Sequence, residues 1–237
     1  MFKLTTILLL LALSASRELV CGQGASAPVR VMVVTGGHAH DTSFGSLFEG
    51  YEQIVARVYP RDIAYSRDFR STTDVLVLYD LSQEITETER TNFQNFLESG
   101  KGLVVLHHAV ANYWKTWSWY QSLIGATYYL KTEGDRPASK PTIGQVVTAR
   151  PVGNHPITAD VGPLCWEEET YKGMTISPAV KVLLETDNPT SEKQIAWISP
   201  YEKSRVVVMM SGHDRKSHLH PGYRRLVRNA ILWSAGR

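Results

Sequence analysis

Beyond residue 28 the apolar residues of this chain follow two periods in turn. "VRVMVVTGG", starting at Val29, is an unbroken β-branched run stopped by glycines. That pattern predicts a strand buried on both faces. "DVLVLYD", Asp74 to Asp80, and "GLVVLHHA", Gly102 to Ala109, repeat it. From Ser43 onward Phe44, Leu47, Phe48, Tyr51, Ile54 and Val55 recur at helical spacing, which predicts a helix there. "RDIAYSRD" is the candidate for a short second strand. Thr86 and Glu89 stand at capping-box spacing, so each satisfies a free backbone donor of the other. Phe93, Phe96 and Leu97 follow on one face, and Gly100 suits the C-cap. This β-α-β-α-β order implies a parallel sheet with helices on both faces. The second half is richer in strands, with "IGQVVTA", "AVKVLLET", "KQIAWIS" and "SRVVVMMSG". A last helix is predicted from about Pro221, with Tyr223, Leu226, Val227, Ala230 and Ile231 on one stripe.

The first residues break the pattern. Met1-Phe2-Lys3 gives a positive start, and Ile7 to Ala15 is an apolar run too short to span a bilayer. Its length and flanks fit a signal peptide over residues 1–22, followed by a small-residue linker, 23–28, and one domain, 29–237. Export to the periplasm or the outside is therefore expected. "ELVC" lacks the small residue that normally precedes a lipidated cysteine, which argues against a lipoprotein.

Composition changes little in this picture. The 237 residues are 43% hydrophobic and 20% charged, enough for one domain with a full core. The formal net charge is +2 and the basic residues are scattered, so no stretch is suited to tracking phosphates and no nucleic acid partner is expected. Of the two cysteines, Cys21 falls in the leader, which leaves Cys165 unpaired and no disulfide framework.

The chemistry concentrates in histidine. In an open parallel sheet, ligands sit beyond the carboxyl ends of the strands. Of eight histidines, five fall at such ends: His38 and His40 in "GGHAHD", His107 and His108 in "LHHA", and His213 in "SGHD". Each motif alone has a plainer reading. Asp41 or Ser43 can cap a following helix. Successive strand residues point to opposite faces, so one of His107 and His108 faces the site unless the strand has already ended. His218 and His220 read as solvated loop residues, and His155, before a proline, as a turn residue. The acidic run "WEEETY" reads as solvated, yet Trp166 and Tyr171 flank it, which suggests that one carboxylate points inward. Several imidazoles and a carboxylate can bind a divalent ion such as zinc. They can equally serve as general acid and base. "NYWKTWSWY" carries three tryptophans and two tyrosines, either a core-packing helix or a rim for a sugar ring.

Taken together, "VMVVTGGHAHD", "GKGLVVLHHAVANYWKTWSWYQSLIGATY", "NHPITADV", "EETYKGM", "SGHD" and the terminal "RNAILWSAGR" resemble the ThuA-like, or trehalose-utilisation, family from Val29 to Arg237. The resemblance implies a flavodoxin-like, class I glutamine amidotransferase-like α/β fold: an open, mainly parallel sheet with helices on both faces. Amidotransferases of that fold place a nucleophilic cysteine on the turn after a central strand. Here the turn carries His107 and His108, which argues against amidotransfer. By position, His38 and Asp41 match the family's first signature, Glu169 and Tyr171 its D-E-x-Y element (with Glu168 for the aspartate), and His213 and Asp214 its last G-H-D. A histidine that family members carry after "LIG" is missing from "ATYYLKTEGD", a departure that weighs against a metal site depending on it.

The expectation is an exported enzyme acting on a sugar or keto-sugar by hydrolysis, elimination or isomerisation. His107, Glu169 and His213 are its candidate catalytic residues. His38, Asp41, His108, Trp114, Tyr171 and Asp214 are candidates for substrate binding. His38, His40, His107 and His213 are candidate ligands of a divalent ion such as zinc, and no nucleotide cofactor is expected. The partner is a small-molecule carbohydrate, with homo-oligomerisation left open. Two alternatives stand: a non-catalytic carbohydrate-binding module, and a hydrolase using Cys165.

Overall fold

Val29–Gly36 (β1), Val75–Asp80 (β3), Gly102–Leu106 (β4) and Val206–Met209 (β11) form the centre of a nine-stranded sheet. In the computed structural model, which describes residues 27–237, these apolar runs are buried on both faces. The expected leader and residues 23–26 of the linker lie outside the described residues.

The sheet order is β2-β1-β3-β4-β11-β10-β9-β6-β7, with β2 at Ile54–Pro60. The first five strands pair in parallel. The chain steps outward from β1 to β2 and then crosses back to β3. The carboxyl ends of β1 and β3 therefore flank a topological switch point, where open α/β sheets bind ligands. The other half, made of Lys140–Pro151 (β6), Leu164–Lys172 (β7), Lys181–Glu185 (β9) and Gln194–Ile198 (β10), is antiparallel. Its strands follow one another without long helices between them, and short links join antiparallel neighbours. Ala126–Thr127 (β5) and Thr175–Ile176 (β8) pair separately.

The helices follow their caps. Arg61–Ala64 (α1) starts after Pro60. Glu87–Glu98 (α2) carries the capping box: the Thr86 N–H donates to Glu89 Oε2 at 2.7 Å and the Glu89 N–H to Thr86 Oγ1 at 3.3 Å. Ser118–Ile124 (α3), Arg215–His218 (α4) and Pro221–Ser234 (α5) complete the set. Along α5 the predicted stripe of Tyr223, Leu226, Val227, Ala230 and Ile231 is buried. No helix among the described residues is long and apolar enough to cross a membrane.

Two expectations fail. The helix expected from Ser43 to Val55 is only a 3-10 turn, Thr42–Leu47. Gly50, at φ 80°, breaks the helical path, and the β-branched Ile54 and Val55 pair with Val29 and Arg30 in β2. "RDIAYSRD" is then no strand. Proline ends β2 because it has no N–H to give, and its fixed φ starts the α1 turn.

Past β1 the chain turns sharply on Gly37, at φ 70°, where a Cβ would lie 1.8 Å from the Leu81 carbonyl oxygen. The β1 and β3 ends can approach this closely only without a side chain there. Gly37→Ala should therefore destabilise the protein by about 2–4 kcal/mol, the sum of backbone strain and overpacking. Urea denaturation would measure it, and a midpoint unchanged from the parent would refute the reading.

Candidate functional site

Parallel pairing of β4 with β11 places His107 and the 210–213 segment at the same end of the sheet. β4 ends at Leu106, and His107–Ala111 forms a 3-10 turn. His107 itself has φ 51°, a left-handed conformation that costs a non-glycine residue about 1–3 kcal/mol. The sharp bend lets both members of the His107-His108 pair leave the strand and stay inside, 1% and 5% exposed. The parity argument, in which one of the two faces the site, does not apply because the strand has already ended.

Three side-chain atoms converge here. His107 Nε2 lies 3.0 Å from Glu169 Oε2, His213 Nδ1 lies 3.2 Å from the same oxygen, and the two nitrogens are 3.2 Å apart. Tyr171 donates its hydroxyl proton to Glu169 Oε2 at 3.2 Å and reaches His107 Nε2 at 3.0 Å. The Met210 carbonyl, 2.9 Å from His107 Nδ1, assigns that nitrogen its hydrogen. In the neutral ring Nε2 then presents a lone pair to the lone pairs of Glu169. Such a contact is repulsive unless a proton or a cation lies between. Burial pushes the Glu169 carboxyl up, but its contacts with His107 and His213, which favour the carboxylate whenever a proton lies between, outweigh it, and the carboxyl ends below its usual range. Among the described residues, His107, Glu169 and His213 are the group whose ligand atoms lie close enough to hold a metal ion.

The other sequence candidates separate into neighbours and supports. His38 is exposed and tilts over His108 with ring centroids 4.5 Å apart. His40 faces Phe44 and Tyr79 instead. Neither joins the three-atom group, in which Glu169 stands where the four-histidine set had them. Asp41 caps the Thr42–Leu47 turn and Asp214 caps α4, each accepting a backbone N–H at 2.8 Å. Trp114 is half-buried, with Lys115 Nζ 5.1 Å from its ring, while Tyr113, Trp117 and Tyr120 pack into the core. Cys165 is exposed and meets Thr148 Oγ1 at 3.8 Å. It stands four residues before Glu169, about 13 Å along β7 at the rise of a strand.

Two histidines differ from the sequence expectation. His218, taken for a solvated loop residue, is fully buried: it donates from Nε2 to the Gly212 carbonyl at 2.9 Å and accepts at Nδ1 from the Ser43 hydroxyl at 3.0 Å. His220 likewise is no free loop residue, since it caps α5. Glu168, named only as the stand-in for a family aspartate, is 4% exposed. The signal for it was strand alternation, because Trp166, Glu168 and Thr170 share one face of β7 and all three are buried. Glu169 and Tyr171 share the other face, toward His107.

Taken together, these features define an α/β protein of flavodoxin-like topology with a histidine–carboxylate cluster at the strand ends. The chain belongs to the ThuA (trehalose utilisation) family, which it matches over residues 30–234. Among solved structures it is similar to a protein described as ThuA-like from Parabacteroides merdae, with a TM-score of 0.74 and 16% identity over 88% of this chain and 90% of that one. A second, from Bacteroides uniformis, gives a TM-score of 0.63 and 19% identity over 89% and 93%. A beta-galactosidase from Rahnella sp. R3 contains the same fold, with a TM-score of 0.56 and 9% identity over 87% of this chain and 31% of that one. No curated protein sequence matches the chain significantly.

His108 gives the site a pH signature. Burial, then the charges of His107 and His38, lower its pKa to about 2. Below the ordinary histidine pKa the unfolded chain takes up a proton there and the folded chain does not, so stability contributed by His108 falls as pH falls. His108→Phe should remove about 1.4 kcal/mol of stability change per pH unit between pH 6 and 4. Chemical denaturation of both proteins across that range would show it, and parallel stability curves would refute it.

Proposed function

We propose that this protein is an exported enzyme of carbohydrate metabolism that acts on a sugar or keto-sugar, with a divalent ion held by His107, Glu169 and His213. One observation carries the reading: three ligand atoms from three separate elements converge to 3.0–3.2 Å, with His107 fixed in the tautomer that presents Nε2. The fit to a cation is close. Ligands 2.0–2.1 Å from zinc at tetrahedral angles stand about 3.3 Å apart, and two imidazoles with one carboxylate, leaving a position open, is a catalytic rather than a structural donor set. A second atom on the first ligand, here His107 Nδ1–H on a carbonyl, is the usual outer support of such a histidine.

The ion would supply Lewis acidity toward a sugar carbonyl. The protein's own groups do the rest. Tyr171 holds a hydroxyl against Glu169 Oε2, which orients the carboxylate. His108, kept neutral, adds no charge beside the cluster. The half-exposed edge is formed by His213 and by His38 over His108, so substrate reaches the cluster from that side. The family's association with trehalose utilisation supports a carbohydrate substrate. A binding module built on an aromatic rim finds less support, because Tyr113, Trp117 and Tyr120 are core residues and Trp119 packs against the core, which leaves only Trp114 of that cluster, itself half-buried.

Elemental analysis of the purified protein, before and after chelation, should find about one divalent ion per chain. His107→Ala and Glu169→Ala should each lower zinc affinity by at least about 100-fold in calorimetry. Both should also abolish turnover on a panel of sugars and keto-sugars. An ion-free protein whose activity survives both substitutions would refute the proposal.

A further inference from the structure

Glu168 is a buried carboxylate with no ion pair among the described residues. Every hydrogen bond it makes is an acceptance. Oε1 takes the backbone N–H of Glu169 at 2.9 Å and of His213 at 3.0 Å. Oε2 takes the Trp166 indole N–H at 2.9 Å, the Gly212 N–H at 2.9 Å and the Ser217 hydroxyl at 2.7 Å. Five donors and no acceptor face it. A carboxylate is acceptor-only, with about four lone-pair sites that these donors fill or share, whereas an amide of the same shape turns its two hydrogens on the donors.

The geometry points to Glu168 as the positioning residue of the site: it sets where His213 Nδ1 stands relative to Glu169 Oε2. Its place on β7 explains how. Glu169 projects from one face of the strand into the cluster, and Glu168 from the other face grips the two amides that carry His213. The ligand and the loop bearing its partner are thus referenced to the same two residues of chain. The Gly212 carbonyl, on the opposite side of that loop, is held by the hydroxyl of Tyr79 at 2.6 Å and by His218 Nε2 at 2.9 Å. Gly212 itself has φ 125°, and a Cβ there would lie 2.6 Å from the Tyr223 hydroxyl, so the loop passes where only glycine fits. With its N–H groups and its carbonyl both committed, the loop has one position. If the Glu168 side is loosened, His213 is free to drift while Glu169 stays.

The inference rests on the proposed cation site for one of its two readouts. Glu168→Gln should fold, weaken zinc binding about 10- to 100-fold, the range for outer supports of metal ligands, and move the His213 ring resonances, assigned with His213→Ala. Val227→Ala, a core truncation in α5, serves as a control of comparable instability and should leave both unchanged. Glu168→Gln with zinc affinity and His213 resonances like the parent's would overturn the proposal, as would equal weakening in Val227→Ala. If the parent itself binds no zinc, the cation reading fails, and the His213 resonances alone decide: moved supports positioning, unmoved overturns it. If Glu168→Gln does not fold, Ser217→Ala takes its place. It removes one of the five donors and should shift the same resonances to a smaller extent, and their staying fixed would overturn the assignment.

Discussion

The site depends on one hydrogen bond, from His107 Nδ1 to the Met210 carbonyl at 2.9 Å. It joins the turn after β4 to the segment after β11, the two central strands that pair in parallel at this end. Without it the imidazole could rotate, and either nitrogen could face Glu169. With it, Nε2 is committed to the cluster and the left-handed backbone at His107 is offset by a fixed buried contact. Parallel pairing matters here because it brings both carboxyl ends to the same side, where ligands bind in sheets of this kind. An antiparallel β11 would have sent the 210–213 segment to the far end.

The antiparallel half contributes in a different way. β7 comes from a hairpin with β6 and supplies both carboxylates, one to each of its faces. The parallel half offers a place for a ligand, and the hairpin closes it with charge. Only the pair of halves makes a histidine–carboxylate cluster, which is why the strand-rich second half matters to the candidate site as well as to the core.

Much of this was legible in the sequence. The buried runs of β1, β3 and β4 and the capping box of α2 showed in composition and spacing alone, since burial on both faces demands unbroken apolar stretches and the box demands fixed residues three apart. His107, Glu169, Tyr171 and His213 were all named as candidates, and the structure brings those four together. What escaped detection depended on tertiary context. Phe44 to Val55 kept a helical period although Gly50 and β1 pairing divide it. His218 looked polar and exposed because nothing local shows that Ser43, 175 residues away, and the Gly212 carbonyl enclose it. Glu168 lay inside an acidic run that reads as solvated unless period two is counted outward from Trp166.

The turn at His107 carries the comparison with the amidotransferase-like scaffold one step further. A strained, left-handed residue at the end of a central strand thrusts its side chain into the space above the sheet, which suits a nucleophile that must reach its substrate. Here the same strain supports an imidazole whose two nitrogens are already engaged, one by a carbonyl and the other by Glu169, His213 and Tyr171. A ring fixed at Nδ1 with Nε2 aimed into the cluster is suited to holding a proton or a cation there. At this turn the chain thus presents an anchored imidazole and no free nucleophile.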